Sequence, residues 1–194
     1  MKKLTRSDIL SLERYASERS GLRSRVIAHK KARSIALGRH ATLLFEDRLT
    51  VQYQVQEILR IERIFEAGAI QEELDAYNPL IPDGNNLKAT MLLEFPDASS
   101  RVERLSRLGG IEHRVYAQVQ GHPKTFAHAD EDLERSERDK TSAVHFLRFE
   151  FPSAAIQSLR AGAELTLGVE DSRLPEAVLV PVNSLAALIG DFHG

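Results

Sequence analysis

The sequence predicts an α+β fold with a mainly antiparallel sheet, and three observations carry that reading. Thr141 to Phe151 alternates: Ala143, His145, Leu147, Phe149 and Phe151 share one face, while Val144, Phe146, Arg148 and Glu150 take the other. That is the period-two pattern of a half-buried strand. Several other short apolar runs are joined by short turns and set apart from the helices, which implies antiparallel neighbours. Among them lies one long helical pattern, residues 48–67, preceded by the apolar run Thr42 to Phe45.

In chain order, Leu4 to Ala16 reads as a helix, capped by Thr5 or Ser7 and ended by Ser17 and Gly21. Arg25 to Leu37 is ambiguous between strand and helix. Ser34 to Leu37 and Ala41 to Phe45 form a hairpin around Gly38, Arg39 and His40. The helix 48–67 is central. On a wheel turning about 100° per residue, Val51, Val55, Ile58 and Phe65 make one stripe, with Gln54 and Ile61 at its edge and Glu62 inside it. Tyr53, Glu57, Arg60 and Ile64 form a second row. The helix is therefore expected to be packed on the sheet and covered on more than one side, with Gln54, Glu57 and Glu62 partly buried. A buried carboxylate needs a partner, and the candidates for Glu62 are His29, Arg33, His145 and Arg148.

Gly68 offers a C-cap, and Ile70 to Ala76 resumes the helix. Tyr77 to Asn86 is a loop fixed by Pro79 and Pro82, with Leu80 or Ile81 inserted into the core. Beyond it come a strand (Ala89 to Phe95), a helix from Ser99 or Ser100 to Leu108, and a hairpin of Arg114 to Val119 with Thr125 to His128. Asp130 to Lys140 is a solvated charge run. After the Thr141 strand follow a short helix to Leu159, a strand from Glu164 to Val169, an edge strand from Val178 to Val182, and a helix through Leu188.

A length of 194 residues suits a single domain over 1–194, with a helical half (about 1–84) and a β-rich half (about 85–194). The net charge of −2 is unevenly spread, since residues 1–63 carry 14 Lys and Arg against 7 Asp and Glu. A basic half can mark an anion-binding or partner surface, or simply a face lying near an acidic one. No apolar run approaches the roughly 20 residues that span a bilayer, so no membrane role is expected. The absence of cysteine excludes disulfides, thiolate metal sites and a cysteine nucleophile. Cytoplasm is the expected location, for want of any address.

No phosphate-cradling glycine loop, GxSxG, HExxH or ExxH motif is present, so a self-contained di-iron carboxylate bundle is not expected. What remains is scattered. His145 faces the apolar side of its strand, as a hydrogen-bonded core histidine or as a metal ligand or general base. Glu62 is a buried ion pair or part of a site. Glu57 and Arg60 can form an i,i+3 pair. His29, Lys31 and Arg33 make a solvated basic face or an anion site.

The runs RVIAHKKARSIALG, LLFEDRLTVQYQVQEILRIERIFE, ELDAYNPLIPDGNNLKATML and TSAVHFLRFEF together resemble an uncharacterised bacterial protein family of about this length. The resemblance covers nearly the whole chain. It implies a gene neighbourhood containing rubrerythrin and an iron–sulfur oxidoreductase subunit, and so a role near peroxide or iron redox chemistry. The positions matching the family pattern are His29, Lys31, Glu46, Gln54, Glu57, Arg60, Glu62, Asn78, Pro79, Pro82 and His145.

Two functional readings follow. The first is a non-catalytic accessory or binding protein for a redox partner, rubrerythrin or an iron–sulfur protein, docked by the basic half and the Asn78–Pro79–Leu80 loop. The second is a metal- or small-anion-dependent enzyme with Glu57, Glu62, His29 and His145 as ligands. Oxygen and nitrogen donors without thiolate suit iron, manganese or zinc. Nucleic-acid binding has only the arginine- and lysine-rich segment in its favour, with no motif and a slightly acidic chain against it.

Overall fold

The computed structural model describes residues 1–131 and 141–192, so the charge run from 132 to 140 lies outside the described residues. Among those described, the strands form two sheets, each antiparallel throughout. The first holds, edge to edge, β1 (Ser34–Leu37), β2 (Ala41–Phe45), β3 (Asn86–Leu93), β7 (Val144–Glu150) and β6 (His128–Ala129). The second holds β5 (Lys124–Phe126), β4 (Val115–Val119), β8 (Leu165–Val169) and β9 (Glu176–Leu179). The helices are α1 (Leu12–Lys31), α2 (Arg48–Glu62), α3 (Ala67–Tyr77), α4 (Ala98–Ser106), α5 (Ser153–Arg160) and α6 (Val182–Ile189). The predicted α+β, mainly antiparallel fold is the one found.

Strand alternation explains the main core. Leu43, Phe45, Met91, Leu147 and Phe149 from the first sheet meet Val115, Ala117, Leu165 and Leu167 from the second in one apolar cluster, closed by Leu105, Leu159 and Leu188. Each such fully buried side chain contributes about 1.5–3 kcal/mol. The sheets are joined at one corner by a continuous segment. Lys124 to Phe126 pairs with β4, His128 and Ala129 pair with β7, and between them the Ala127 N–H donates to the Val115 carbonyl at 2.9 Å. Near the opposite edge β1 lies against β8 and β9. Gly38 turns the β1–β2 hairpin there at φ +65°, and a Cβ at this position would fall 1.9 Å from Glu176 Oε1. The left-handed dihedral favours glycine, and any other side chain would also have to displace the Glu176 carboxylate.

A second, smaller core unites Leu4, Val51, Val55, Leu59, Leu74 and Ile81 from the N-terminal segment, α2, α3 and the turn after them. The Tyr77 loop behaves as expected. Asn78–Leu80 makes a 3₁₀ turn and Ile81 is fully buried. The first sheet draws strands from both sides of residue 84, since β2 pairs directly with β3 along Ala41–Phe45.

The helical expectations need two corrections. Residues 48–67 are not one helix. Asp47 caps α2 by accepting from the Leu49 and Thr50 N–H groups, and α2 ends at Glu62 because Arg63 is left-handed, at φ +56°. The Arg63 and Ile64 N–H groups both return to the Leu59 carbonyl, a closure normally built on glycine. Counting Phe65 into the helix had rotated the apolar stripe. The buried side is Val51, Val55, Gln56 and Leu59, whereas Ile61 and Phe65 are exposed. The principal neighbours of α2 are α1 and α3 rather than a sheet face. The second correction is α1. Ser11, not Thr5 or Ser7, caps it, and the helix runs through Gly21 to Lys31 as the longest of the described helices.

A left-handed conformation costs a non-glycine residue about 1–2 kcal/mol. Arg63→Gly should therefore stabilise the fold by up to about 1 kcal/mol once the entropy of the added glycine is deducted, seen as a higher urea midpoint. An unchanged or lowered midpoint contradicts this account of the helix end.

Candidate functional site

Strand alternation turns His145 inward on β7, opposite Met91 of β3, and the side chain is fully buried. Three side chains from earlier in the chain complete its surroundings. Asp130 follows β6 in a left-handed conformation (φ +50°), from which one carboxylate oxygen accepts the Phe146 N–H at 2.9 Å. Its other oxygen lies 2.6 Å from His145 Nδ1. Glu112 sits in the 3₁₀ turn Ile111–Arg114, positioned by Gly110 at φ +77°, and is 1% exposed. Thr141 Oγ1, also buried, lies 2.7 Å from His145 Nε2 and 3.3 Å from Glu112 Oε2. The Ser142 carbonyl is 3.0 Å from the same ring nitrogen.

A carboxylate oxygen only accepts, so Asp130 fixes Nδ1 as the N–H side of the ring and turns Nε2 toward Thr141 and Glu112. A carboxylate behind one imidazole nitrogen and oxygen donors before the other is the usual setting of a metal-ligating histidine. Glu112, Asp130 and His145 can each offer an atom so that all three lie within 4.8 Å of one another, the one such group among the described residues. Two ligands at about 2.1 Å from one ion stand at most about 4.2 Å apart. Glu112 Oε2 and His145 Nε2, 3.9 Å apart, meet that limit, while Asp130, hydrogen-bonded at Nδ1, stands behind the ring and not on the ion. Of the residues singled out from sequence, only His145 belongs here.

Glu57, Glu62, His29 and His145 are not brought together. Glu57 is gripped by Arg19 through both carboxylate oxygens at 2.7 Å, by Tyr15 Oη at 2.6 Å and more distantly by Arg60 at 3.4 Å. The Arg19 hydrogen bonds hold its carboxyl down at about 2, against the effect of burial. Glu62 is exposed, contrary to expectation, and has no hydrogen bond or ion pair among the described residues. It occupies the last turn of a helix whose buried side had been drawn too far toward Phe65. Gln54 is half-buried and Lys31 exposed at the end of α1. Asn78 clamps the N-terminal segment, accepting the Leu4 N–H at 2.7 Å and donating to its carbonyl at 2.9 Å. Arg148 pairs with Glu131 and Glu150.

His29 and Arg33 belong to a second cluster. Arg33, 2% exposed, binds Asp191, lies 3.5 Å from Asp47, and donates to the carbonyls of Phe45 and Glu46 at 3.1 Å and of Ala187 at 3.3 Å. His29 meets Asp47 from the solvent side. Burial alone would raise the Asp47 carboxyl, but the Arg33 charge, the Thr50 N–H and His29 hold it below the usual range. At Asp191 burial wins, pushing the carboxyl up to about 6 despite Arg33, with Asp47 adding repulsion. The signals for Asp47 and Asp130 were local, a helix cap and a strand end. Glu112, Thr141 and Asp191 gave none.

Two measurements check these placements. Because the Asp191 pKa is raised above its ordinary 3.8, the folded chain holds that proton more tightly than the unfolded one. Its contribution is greatest below about pH 4 and declines as the pH climbs to about 6. Asp191→Asn should remove this decline in urea midpoints taken across the interval, and an unaltered slope refutes it. Glu62→Gln should change stability by no more than about 0.5 kcal/mol, as at other exposed positions. A loss of several kcal/mol would restore the buried-carboxylate reading.

A family model described as "Protein of unknown function (DUF3501)" matches residues 3–192. No curated protein matches. The chain is similar to a crystal structure described as a novel protein of unknown function from Burkholderia pseudomallei K96243. That similarity is 48% identity with a TM-score of 0.94, covering 99% of this chain and 100% of the other. With the match spanning nearly every residue, and with the same fold in a protein half identical in sequence, the chain belongs to the DUF3501 family.

Proposed function

We propose that this chain is a cytoplasmic metal-binding accessory protein, in which Glu112 and His145 Nε2 hold one divalent ion and Asp130 orients the imidazole from behind. The observation that carries the reading is the 3.9 Å approach of Glu112 Oε2 to His145 Nε2, with His145 fully buried and its Nδ1 engaged by the Asp130 carboxylate. The all-oxygen-and-nitrogen donor set suits iron, manganese or zinc. When bound, such an ion supplies positive charge to a pocket that otherwise holds two carboxylates and one imidazole. The chain's own residues orient the set: Asp130 fixes the ring, and Thr141 spans Nε2 and Glu112. The partner we propose is a redox protein, rubrerythrin or an iron–sulfur subunit. The family resemblance supports that choice. Among the described residues no helix is long and apolar enough to cross a membrane.

Protein purified without chelator, or reconstituted with each ion, should carry close to one metal per chain. Its melting temperature should rise with added metal, since an ion at 100 times its Kd stabilises by about 2.7 kcal/mol. Asp130→Asn and Glu112→Gln should lose both effects while keeping the circular dichroism of the parent. Metal content far below one per chain after reconstitution, with no thermal shift, removes the reading. Failure to co-purify with either redox protein removes only the partner.

A further inference from the structure

We propose that α1 pairs with the α1 of a second copy of this chain, antiparallel, to form a two-fold dimer. The helix is long and nearly bare: of its 20 residues only Tyr15 and Val26 are buried, both on the side that meets α2. On the opposite side Glu13, Ala16, Ser17, Ser20, Arg23, Ser24, Ile27, Ala28 and Lys31 are all exposed. Ile27 stands in this face with 47% of its surface open.

Charge chooses the occupant. Glu13 and Lys31 are 18 residues apart in sequence, about five full turns, so they project at the same azimuth from opposite ends of the face. Among the described residues neither has an ion pair. The half of α1 from Arg19 onward contains no acidic residue, and the two acidic residues of the helix, Glu13 and Glu18, lie in the first half. Glu18 already pairs with Arg14, and an antiparallel second copy sets the unpaired Glu13 against Lys31 of the partner subunit twice, by symmetry. With Glu13 opposite Lys31 of the partner subunit, the same register puts Ala16 against Ala28 of the partner subunit and Ser20 against Ser24 of the partner subunit. Small side chains meet small ones along the seam, and Ile27 faces Ser17 of the partner subunit. A parallel pairing would instead stack the cations. An acidic patch on another protein would satisfy the cations but leave Glu13 opposed to like charge.

A 20-residue helix is about 30 Å long, and its single face offers less than the roughly 800 Å² per partner of a standard interface. The association is accordingly weak, with a concentration-dependent monomer–dimer equilibrium in the micromolar range or above. Sedimentation equilibrium from micromolar to near-millimolar protein should show it. Glu13→Lys and Lys31→Glu should each weaken it about tenfold, because two symmetric pairs are lost and two like-charge contacts made. The double variant should recover the parent's affinity, although both charges then oppose the dipole of their own helix. Ile27→Asp should abolish association while leaving the circular dichroism unchanged. A chain that stays monomeric throughout overturns the proposal. So does a dimer indifferent to the single variants, or one not restored in the double.

Discussion

Arg33 is the constraint on which the architecture turns. Its guanidinium is a buried cation at the junction of α1 and β1, and what surrounds it comes from four places: the end of β2, the start of α2, the end of α6 and the segment after it. A buried charge that loses its partners costs about 3–5 kcal/mol, so these elements must arrive together. The Asp191 contact spans 158 residues of chain. One side chain thereby fixes where the C-terminal helix lies relative to the first hairpin.

Asp47 shows how local and long-range demands are met by the same atoms. Its Oδ1 caps α2 by accepting the Leu49 and Thr50 N–H groups, and its Oδ2 faces His29 and Arg33. The next carboxylate, Glu46, takes hydroxyl protons from Thr50 at 2.6 Å and Thr90 at 2.9 Å. Polar residues at the β2–α2 turn are thus all used, and none is left with an unpaired buried atom. A fully satisfied polar network of this kind rigidifies one arrangement, because any half-formed alternative strands charges in a low-dielectric interior.

How much of this was legible follows from the range of each determinant. The β1–β2 hairpin and the inward face of β7, including His145, are each set within a dozen consecutive residues, the one by alternation and a glycine, the other by alternation alone. They were read correctly. The end of α2 was missed because Arg63 adopts a conformation normally signalled by glycine, while the actual glycines mislead: Gly68 begins α3 and Gly21 sits inside α1. The clusters were legible only in part. His145 could be aimed from its own strand, but Glu112 and Asp130 reach it through the second sheet and a turn. No spacing within one element records that meeting. The error at Glu62 has the same origin as the error at Phe65, a helix continued five residues too far.

The segment shared by the two sheets has a consequence for what evolution can alter. Between Phe126 in one sheet and His128 in the other stands a single residue, Ala127, and the chain reaches Asp130 two residues after His128. Side chains along extended backbone alternate, so parity is counted from the corner onward. One inserted or deleted residue there would shift Asp130 out of step with His145 and break the register of β6 on β7 together. A change of length at this corner therefore costs two things at once, the pairing of the first sheet's edge strand and the aim of the carboxylate behind His145.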